Sequence, residues 1–383
     1  MRRTRRSRSL LASVKIRRAR PTDKAPVLHF CRRTWGDYGD FIDRVWDEWL
    51  RDKRGFFAVA ALGERPIGTA KLTLLKPGEV WFEGLRVDRE FRGIGLAHVL
   101  TSFLLKKASR MGAKSVRYAT GGSNLTSQHI GRSWGFELLR RYTCLEAPPD
   151  GRRKPVLARV TDPARALQLL NAAAAGLSWP GGASAGNGGA VDEAAGSRSE
   201  RKHVRRSRQQ AIAQLTRVLR SSRFVTSMKG LASEGWTFYQ IDEDFVERAL
   251  RRREFYVALL NSTGSAGKSG VAGQSGTASA PAVAGLIVAA AQRRRQRLLV
   301  WTLADLREDC LSSLLGGTRR LAFDFGLKEV RLVAPYARAM TVPARKVGFR
   351  QEYEGLSAVV MEQVRGQGPR GSRTRRRKPG TTK

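Results

Sequence analysis

One glycine-rich turn has the residue types of an anion site. It reads Arg92-Gly93-Ile94-Gly95-Leu96-Ala97, follows a predicted strand over residues 80–87, and precedes apolar residues at helical spacing up to about residue 110. The first amides of a helix lack intrahelical partners and carry the positive end of its dipole, so they bind phosphate well. Glycines leave the approach open, and an arginine adds charge. The turn therefore predicts a phosphate site at a helix N-terminus.

Two common phosphate motifs do not fit this turn. The dinucleotide fingerprint G-x-G-x-x-G fails because the residue three after Gly95 is His98. A Walker motif is excluded because no Gly-Lys-Ser/Thr sequence ends the turn.

The run LRVDREFRGIGLA, residues 85–97, resembles the acetyl-CoA site of the GNAT acetyltransferase superfamily. The signature of that family, Arg/Gln-x-x-Gly-x-Gly/Ala, is met by Arg92, Gly95 and Ala97. The resemblance covers residues 14–147. It implies a mixed α/β fold and acetyl transfer from acetyl-CoA, as co-substrate, to a primary amine by direct attack in a ternary complex.

The resemblance also implies which residues hold acetyl-CoA. The backbone amides of Leu85 and Val87 would serve the thioester, with its carbonyl near Leu85, and the turn would hold the pyrophosphate. The implied cofactor-binding residues are Leu85, Arg86, Val87, Arg92, Gly93, Ile94, Gly95, Leu96, Ala97 and Asn124.

Glu83 is the predicted general base. It lies on the strand before the turn, two residues before Leu85, so strand alternation predicts that both side chains share one face. Its apolar surroundings favour a raised pKa. The alternative is a carboxylate paired with Arg86 or Arg117 at the sheet surface, and Glu79 is a second, weaker candidate for the base.

The general acid is unassigned. The resemblance places the usual tyrosine five residues before the Phe of a Gly-Phe pair, and Gly131 occupies that position. Tyr118, His129, Tyr142 or solvent could protonate the leaving thiolate instead.

The acceptor is a small amine or an amino acid by weak analogy, and other amines stay open. Aromatic residues on two predicted helices could line its pocket, although such a stripe is more often core. These residues are Trp35, Tyr38, Phe41, Trp46 and Trp49.

A length of 383 residues suits two domains. We predict a basic disordered tail (1–13), a catalytic domain (14–147) closed by a strand at 138–145, and a linker (148–222) with a flexible Gly/Ala/Ser segment and a basic helix. A degenerate second copy (223–363), whose first strand is 236–241, and a basic disordered tail (364–383) follow. The second copy has acids and no glycine before its corresponding helix, which disfavours phosphate, and Val347-Gly348-Phe349 echoes Trp134-Gly135-Phe136.

The net charge of +38 is concentrated in three acid-free segments. Residues 1–20, 201–223 and 364–383 carry nine, eight and eight Lys or Arg side chains. Such segments attract polyanions, so the alternative function is a tandem GNAT-like binding protein whose tails hold nucleic acid or ribosomes, with vestigial CoA binding.

Three scattered cysteines support neither a disulfide framework nor a zinc site, so we expect no metal and a reducing, cytoplasmic location. No apolar run reaches the length of about 18 residues that a membrane helix needs.

Overall fold

The structure is a computed structural model that describes residues 5–32, 34, 39–152, 156–174, 198–260, 282–306, 310–351 and 357–364. Trp35, Tyr38, most of the Gly/Ala/Ser segment and the tail after residue 364 lie outside these residues, so the predictions about them stay predictions.

The described residues form eleven α-helices. They are α1 (Arg5–Ala12), α2 (Lys24–Cys31), α3 (Ile42–Arg51), α4 (Leu96–Arg110), α5 (Leu125–Ser133), α6 (Pro163–Ala174), α7 (Arg198–Ser221), α8 (Arg223–Ser227), α9 (Glu243–Arg251), α10 (Leu311–Asp324) and α11 (Arg338–Lys346).

Fifteen strands are present in the same residues. They are β1 (Val14–Arg18), β2 (Phe56–Leu62), β3 (Arg65–Lys76), β4 (Glu79–Val87), β5 (Ser115–Gly121), β6 (Glu137–Ala147), β7 (Val156–Val160), β8 (Leu231–Glu234), β9 (Thr237–Gln240), β10 (Phe255–Leu260), β11 (Ala282–Gln292), β12 (Arg297–Asp305), β13 (Glu329–Pro335), β14 (Arg350–Gln351) and β15 (Ser357–Val364).

The chain divides into two compact units. The first comprises Met1–Leu139 and Val359–Lys383, and the second comprises Arg140–Ala358. The first boundary therefore falls inside β6 rather than at residue 147.

The first unit is a mixed sheet in the order β1-β2-β3-β4-β5-β15. Strands β1 to β4 pair antiparallel, while β4 and β5 pair parallel. One face packs against α4 around Leu72, Val80 and Leu100. The other packs against α2 and α3 around Val27, Trp46 and Phe57. Two helical layers thus cover the sheet that carries the predicted site.

The strand beside β5 comes from the end of the chain. Met361 of β15 is fully buried in the core of the first unit, and Glu362 accepts a hydrogen bond from Arg117 at 3.1 Å. The prediction that residues 138–145 close the first domain is wrong, because residues 142–147 of β6 pair with β13 in the second unit.

The second unit is a mixed sheet in the order β6-β13-β12-β11-β10-β7. Its strands β10, β11 and β12 pair antiparallel and β12 pairs parallel with β13, as β2 to β5 do in the first unit. Gly348 and Gly135 also both have positive φ after a helix, 85° and 79°. This likeness supports the predicted duplication, which stays a prediction.

Three predicted segments differ from the structure. The disordered tail predicted over residues 1–13 is wrong for residues 5–12, which form α1, with Leu11 packed against the core. Part of the expected linker is folded, since β7 pairs with β10. The expected first strand at 236–241 is wrong for the main sheet, because β9 pairs with β8 in a separate two-stranded sheet.

None of the helices in the described part of the chain has the length and apolar character needed to cross a membrane.

Candidate active site

Strand β4 contains a bulge at its centre. In the register of β3 with β4, Lys71 pairs with Glu83 and Thr69 pairs with Arg86. Two residues of β4, Gly84 and Leu85, therefore lie opposite one residue of β3, Ala70. Gly84 has φ of +63°, and a methyl group there would overlap the ring of Trp49 in α3. Trp49 therefore packs directly on the bulge.

The prediction that Glu83 and Leu85 share one face of the strand is wrong, because the bulge lies between them. Glu83 hydrogen-bonds to Thr73, whereas Leu85 packs in the α4 core with Phe82. The two side chains lie on opposite faces, because the extra residue reverses the alternation of the strand.

Strands β4 and β5 stay paired over a short length only. Their parallel register runs from Glu79 opposite Ser115 to Trp81 opposite Arg117. The later residues of β4, including Leu85 and Val87, are not in this register. The pairing thus ends at Trp81, two residues before Glu83, and the rest of β4 is outside the β4–β5 register.

The glycine turn forms the start of α4, as the sequence predicts. Gly93 and Gly95 have φ of +79° and +95°, and Gly95 is the N-cap residue. A side chain at Gly93 would meet no protein atom, and Arg92 is exposed with its Nε donating to the Val87 carbonyl at 3.2 Å. This helix N-terminus is therefore open to an anion.

The Asn124 side chain caps α5. Its Oδ1 accepts the backbone N–H of Ser127 at 3.1 Å. This bond fixes the N-terminus of α5 near the end of β5.

Glu83 is held by one neighbouring hydroxyl. Thr73 Oγ1 donates to its Oε1 at 2.5 Å. Removal from water raises the pKa of Glu83 to about 7; the Thr73 bond and the Lys71 charge lower it, while the charges of Glu48 and Asp52 raise it. A carboxyl with this pKa can exchange a proton near neutral pH.

The arginines that could have paired with Glu83 have other partners. Arg86 binds Asp40 through two hydrogen bonds of 2.6 and 3.2 Å, and Arg117 binds Glu79 and Glu362. The Arg86 side chain is therefore paired with Asp40, and the Glu79 carboxylate with Arg117 and Lys76.

Sequence reasoning missed the buried charges beside Glu83. Lys71 of β3 is fully buried, and its Nζ donates to the carboxylate of Asp52. A lysine inside an apolar strand was the only signal, and it does not reveal its partner.

The aromatic residues of α3 divide between the core and the edge of the site. Trp46 and Trp49 are buried against Phe57, with ring centroids 4.8 and 5.1 Å apart, as a core interpretation requires. Phe41 is half-buried beneath the Arg86 guanidinium.

The three side chains considered as acids differ in position. Tyr142 is fully buried and donates to the Met228 carbonyl, and His129 is exposed on α5. Tyr118 of β5 is half-buried and donates to the Ser127 carbonyl at 3.0 Å. A methyl group at Gly131 would overlap the Tyr118 hydroxyl.

The second unit has a different helix start at the corresponding place. Cys310, the N-cap residue of α10, and Leu311 are 0% and 6% exposed. Asp305 at the end of β12 accepts the backbone N–H of Phe224 in the first turn of α8 at 2.9 Å. The N-cap residue of α10, Cys310, is thus buried, whereas Gly95, the N-cap residue of α4, is partly exposed.

The acetyltransferase (GNAT) family model matches residues 25–136. These residues form a GNAT acetyltransferase domain. A GNAT domain transfers an acyl group from an acyl-CoA to an acceptor substrate, and the family typically uses acetyl-CoA. The match covers β2 to β5, the turn and α5.

Solved structures similar to this chain include two acetyltransferases. A GCN5-related N-acetyltransferase from Sphaerobacter thermophilus is 13% identical over 92% of this chain and 95% of its own, with a TM-score of 0.49. A candidate acetyltransferase from Thermoplasma acidophilum is 15% identical over 91% and 99%, with a TM-score of 0.48. A search among curated proteins finds no match.

Proposed function

We propose that this GNAT domain transfers the acetyl group of acetyl-CoA to a primary amine, by direct attack in a ternary complex. The observation that carries the proposal is the place of Glu83, just beyond the end of the β4–β5 pairing, with a pKa raised to about 7. A carboxylate there can take the proton that the amine loses as it attacks.

We assign the cofactor residues the roles that the family resemblance implies. The backbone amides of Leu85 and Val87 would bind the thioester and pantetheine, because β5 does not pair with that part of β4. The backbone of residues 92–97 would hold the pyrophosphate at the open start of α4. Arg86 would contact the cofactor through its backbone, because its side chain is paired with Asp40.

A small amine or amino acid is the acceptor class that we favour. Carboxylates of Glu48 and Asp52 act on Glu83 from α3 and the residues after it, and they favour a cationic ammonium group on the way into the site.

Tyr118 is the side chain that best fits the general acid. Tyr142 belongs to the second unit and donates to the Met228 carbonyl there, and His129 is exposed. Tyr118 follows the last paired residue of β5, and burial raises its pKa to about 12, so it keeps its proton until a thiolate needs it.

Calorimetry with CoA tests the proposal. We expect one site per chain, consistent with the buried N-cap residue of α10. We also expect loss of binding in Gly95→Glu, because charge and bulk enter the phosphate site. Gly112→Glu is the matched control, since Gly112 also has positive φ but lies beyond the C-terminus of α4, where an added side chain meets no atom. Absence of CoA binding in the unaltered chain would contradict the enzyme, and two equivalent sites would contradict a degenerate second unit.

A further inference from the structure

A buried ammonium lies beside the proposed base. Lys71 is directly opposite Glu83 in the β3–β4 register and is 0% exposed. Its Nζ donates to the Leu72 carbonyl at 2.9 Å, to Thr73 Oγ1 at 3.1 Å and to the carboxylate of Asp52. An ammonium has three protons, so these bonds use all of them.

The bond from Lys71 to Thr73 fixes which atom donates in the bond between Thr73 and Glu83. An ammonium only donates, so Thr73 Oγ1 accepts from Lys71 and its single proton points to Glu83 Oε1, 2.5 Å away. Oε1 must then act as an acceptor. Any proton that Glu83 takes up is therefore placed on Oε2.

Hydrogen bonds connect Asp52, Lys71, Thr73 and Glu83 in that order, and Asp52 is the end of this chain of bonds away from Glu83. Its Oδ1 accepts the backbone N–H groups of Arg54 and Gly55, each at 3.0 Å. A methyl group at Gly55 would overlap both the Lys71 ammonium and the Asp52 carboxylate. The backbone thus leaves space for a charge pair at this point and anchors it.

We propose that Lys71 and Thr73 are positioning residues for Glu83: they engage Oε1 and present Oε2 to the acceptor amine. This inference rests on the proposed function of Glu83 as the base. The charged groups around the carboxyl are Lys71 on β3, Glu48 on α3 and Asp52 after α3, with Arg18 of β1 acting on Lys71.

The test compares Thr73→Val, which removes the hydroxyl at nearly constant shape, with Thr73→Ser, which keeps it. The first measurement is the pKa of Glu83, followed through the ¹³C shift of its labelled carboxyl carbon. We expect Thr73→Val to raise this pKa by about one unit, because a hydrogen bond to the charged form is lost. Thr73→Ser should leave it unchanged, and Thr73→Ala serves if the valine variant does not fold.

The second measurement is kcat/KM against pH. The rising limb should move to higher pH by the same amount in Thr73→Val, so the rate at pH 7 should fall about fivefold. In Thr73→Ser the limb should stay at the pH of the unaltered protein. CoA affinity should not change.

The outcomes separate the inference from the proposed function. If Glu83→Gln loses turnover while Thr73→Val leaves the carboxyl titration and the pH profile unchanged, the positioning role is wrong and the base stands. If Glu83→Gln keeps full turnover, the base is wrong. Even if Glu83 is not the base, the carboxyl titration tests the Thr73 hydrogen bond. A Glu83 pKa that is the same in Thr73→Val and in the unaltered protein would contradict that bond.

Discussion

The hydroxyl of Tyr118 lies against Gly131, in the space that any side chain at Gly131 would need. Tyr118 comes from β5 and Gly131 from α5, so a strand residue places a phenol beneath a helix that has no side chain at this point. Its partner is the Ser127 carbonyl, one turn earlier on α5. The absence of a side chain at residue 131 is thus what allows the phenol to lie there.

Tyr118→Phe should lower turnover about a hundredfold with little change in CoA affinity, because the proton for the leaving thiolate is removed. Gly131→Ala should also lower turnover, since its methyl group displaces the phenol while the hydroxyl is retained. Steady-state rates check both, and His129→Ala on the exposed side of α5 is the control. Normal turnover in Tyr118→Phe would leave the acid to solvent.

Gly84→Ala should destabilise the first unit by about 2–4 kcal/mol, because positive φ and overlap with Trp49 act together. Gly63→Ala is the matched control: it has φ of +60°, close to the +63° of Gly84, but its added methyl meets no atom, so it should cost only about 1 kcal/mol. Denaturant titration gives both values. Equal losses would show that Trp49 does not press on the bulge.

A chain ending at residue 356 lacks β15 and should lose CoA binding. Met361 fills the core of the first unit, and Glu362 is a partner of Arg117 on β5, so both would lose their contacts. A chain ending at residue 364 keeps β15 and should bind CoA normally. Calorimetry and thermal unfolding of both chains provide the comparison, and equal behaviour would remove β15 from the functional unit.

Glu83→Gln should become more stable relative to the unaltered protein as pH rises. The pKa of Glu83 is raised above the ordinary 4.5, mainly by removal from water, to about 7. A carboxyl of this kind contributes stability that is present below its unfolded pKa and is lost as pH rises through 7. Glutamine does not ionise, so the variant should gain at most about 3 kcal/mol between pH 4.5 and 8. Thermal melts at both ends of this range check the shift, and a constant difference would contradict a raised pKa.

The sequence predicts the elements around the site well, because local patterns define them. The strand predicted over residues 80–87 is β4 (Glu79–Val87), and the glycine turn and α4 (Leu96–Arg110) follow it as expected. The place of β15 beside β5 was not predictable, since residues that join the two strands, such as Arg117 and Glu362, are 245 residues apart in the sequence.

The finer geometry of the site escaped sequence reasoning for a related reason. One extra residue at Gly84 separates Glu83 from Leu85, and strand alternation alone cannot locate such a bulge. The contacts of Lys71 with Asp52 and of Arg86 with Asp40 join β3 and β4 to residues beside α3. Neither pair has a sequence spacing that would reveal it.

The rate of acetyl transfer to a small amine, measured against pH for the unaltered protein and Glu83→Gln, tests the central claim most directly. We expect the unaltered rate to rise with pH through about 7, as Glu83 loses its proton. Glu83→Gln should be about a hundredfold slower near pH 7 with CoA affinity little changed, and the loss should shrink at higher pH because the amine deprotonates unaided. An unchanged rate and pH profile in Glu83→Gln would contradict the assignment of Glu83 as the base.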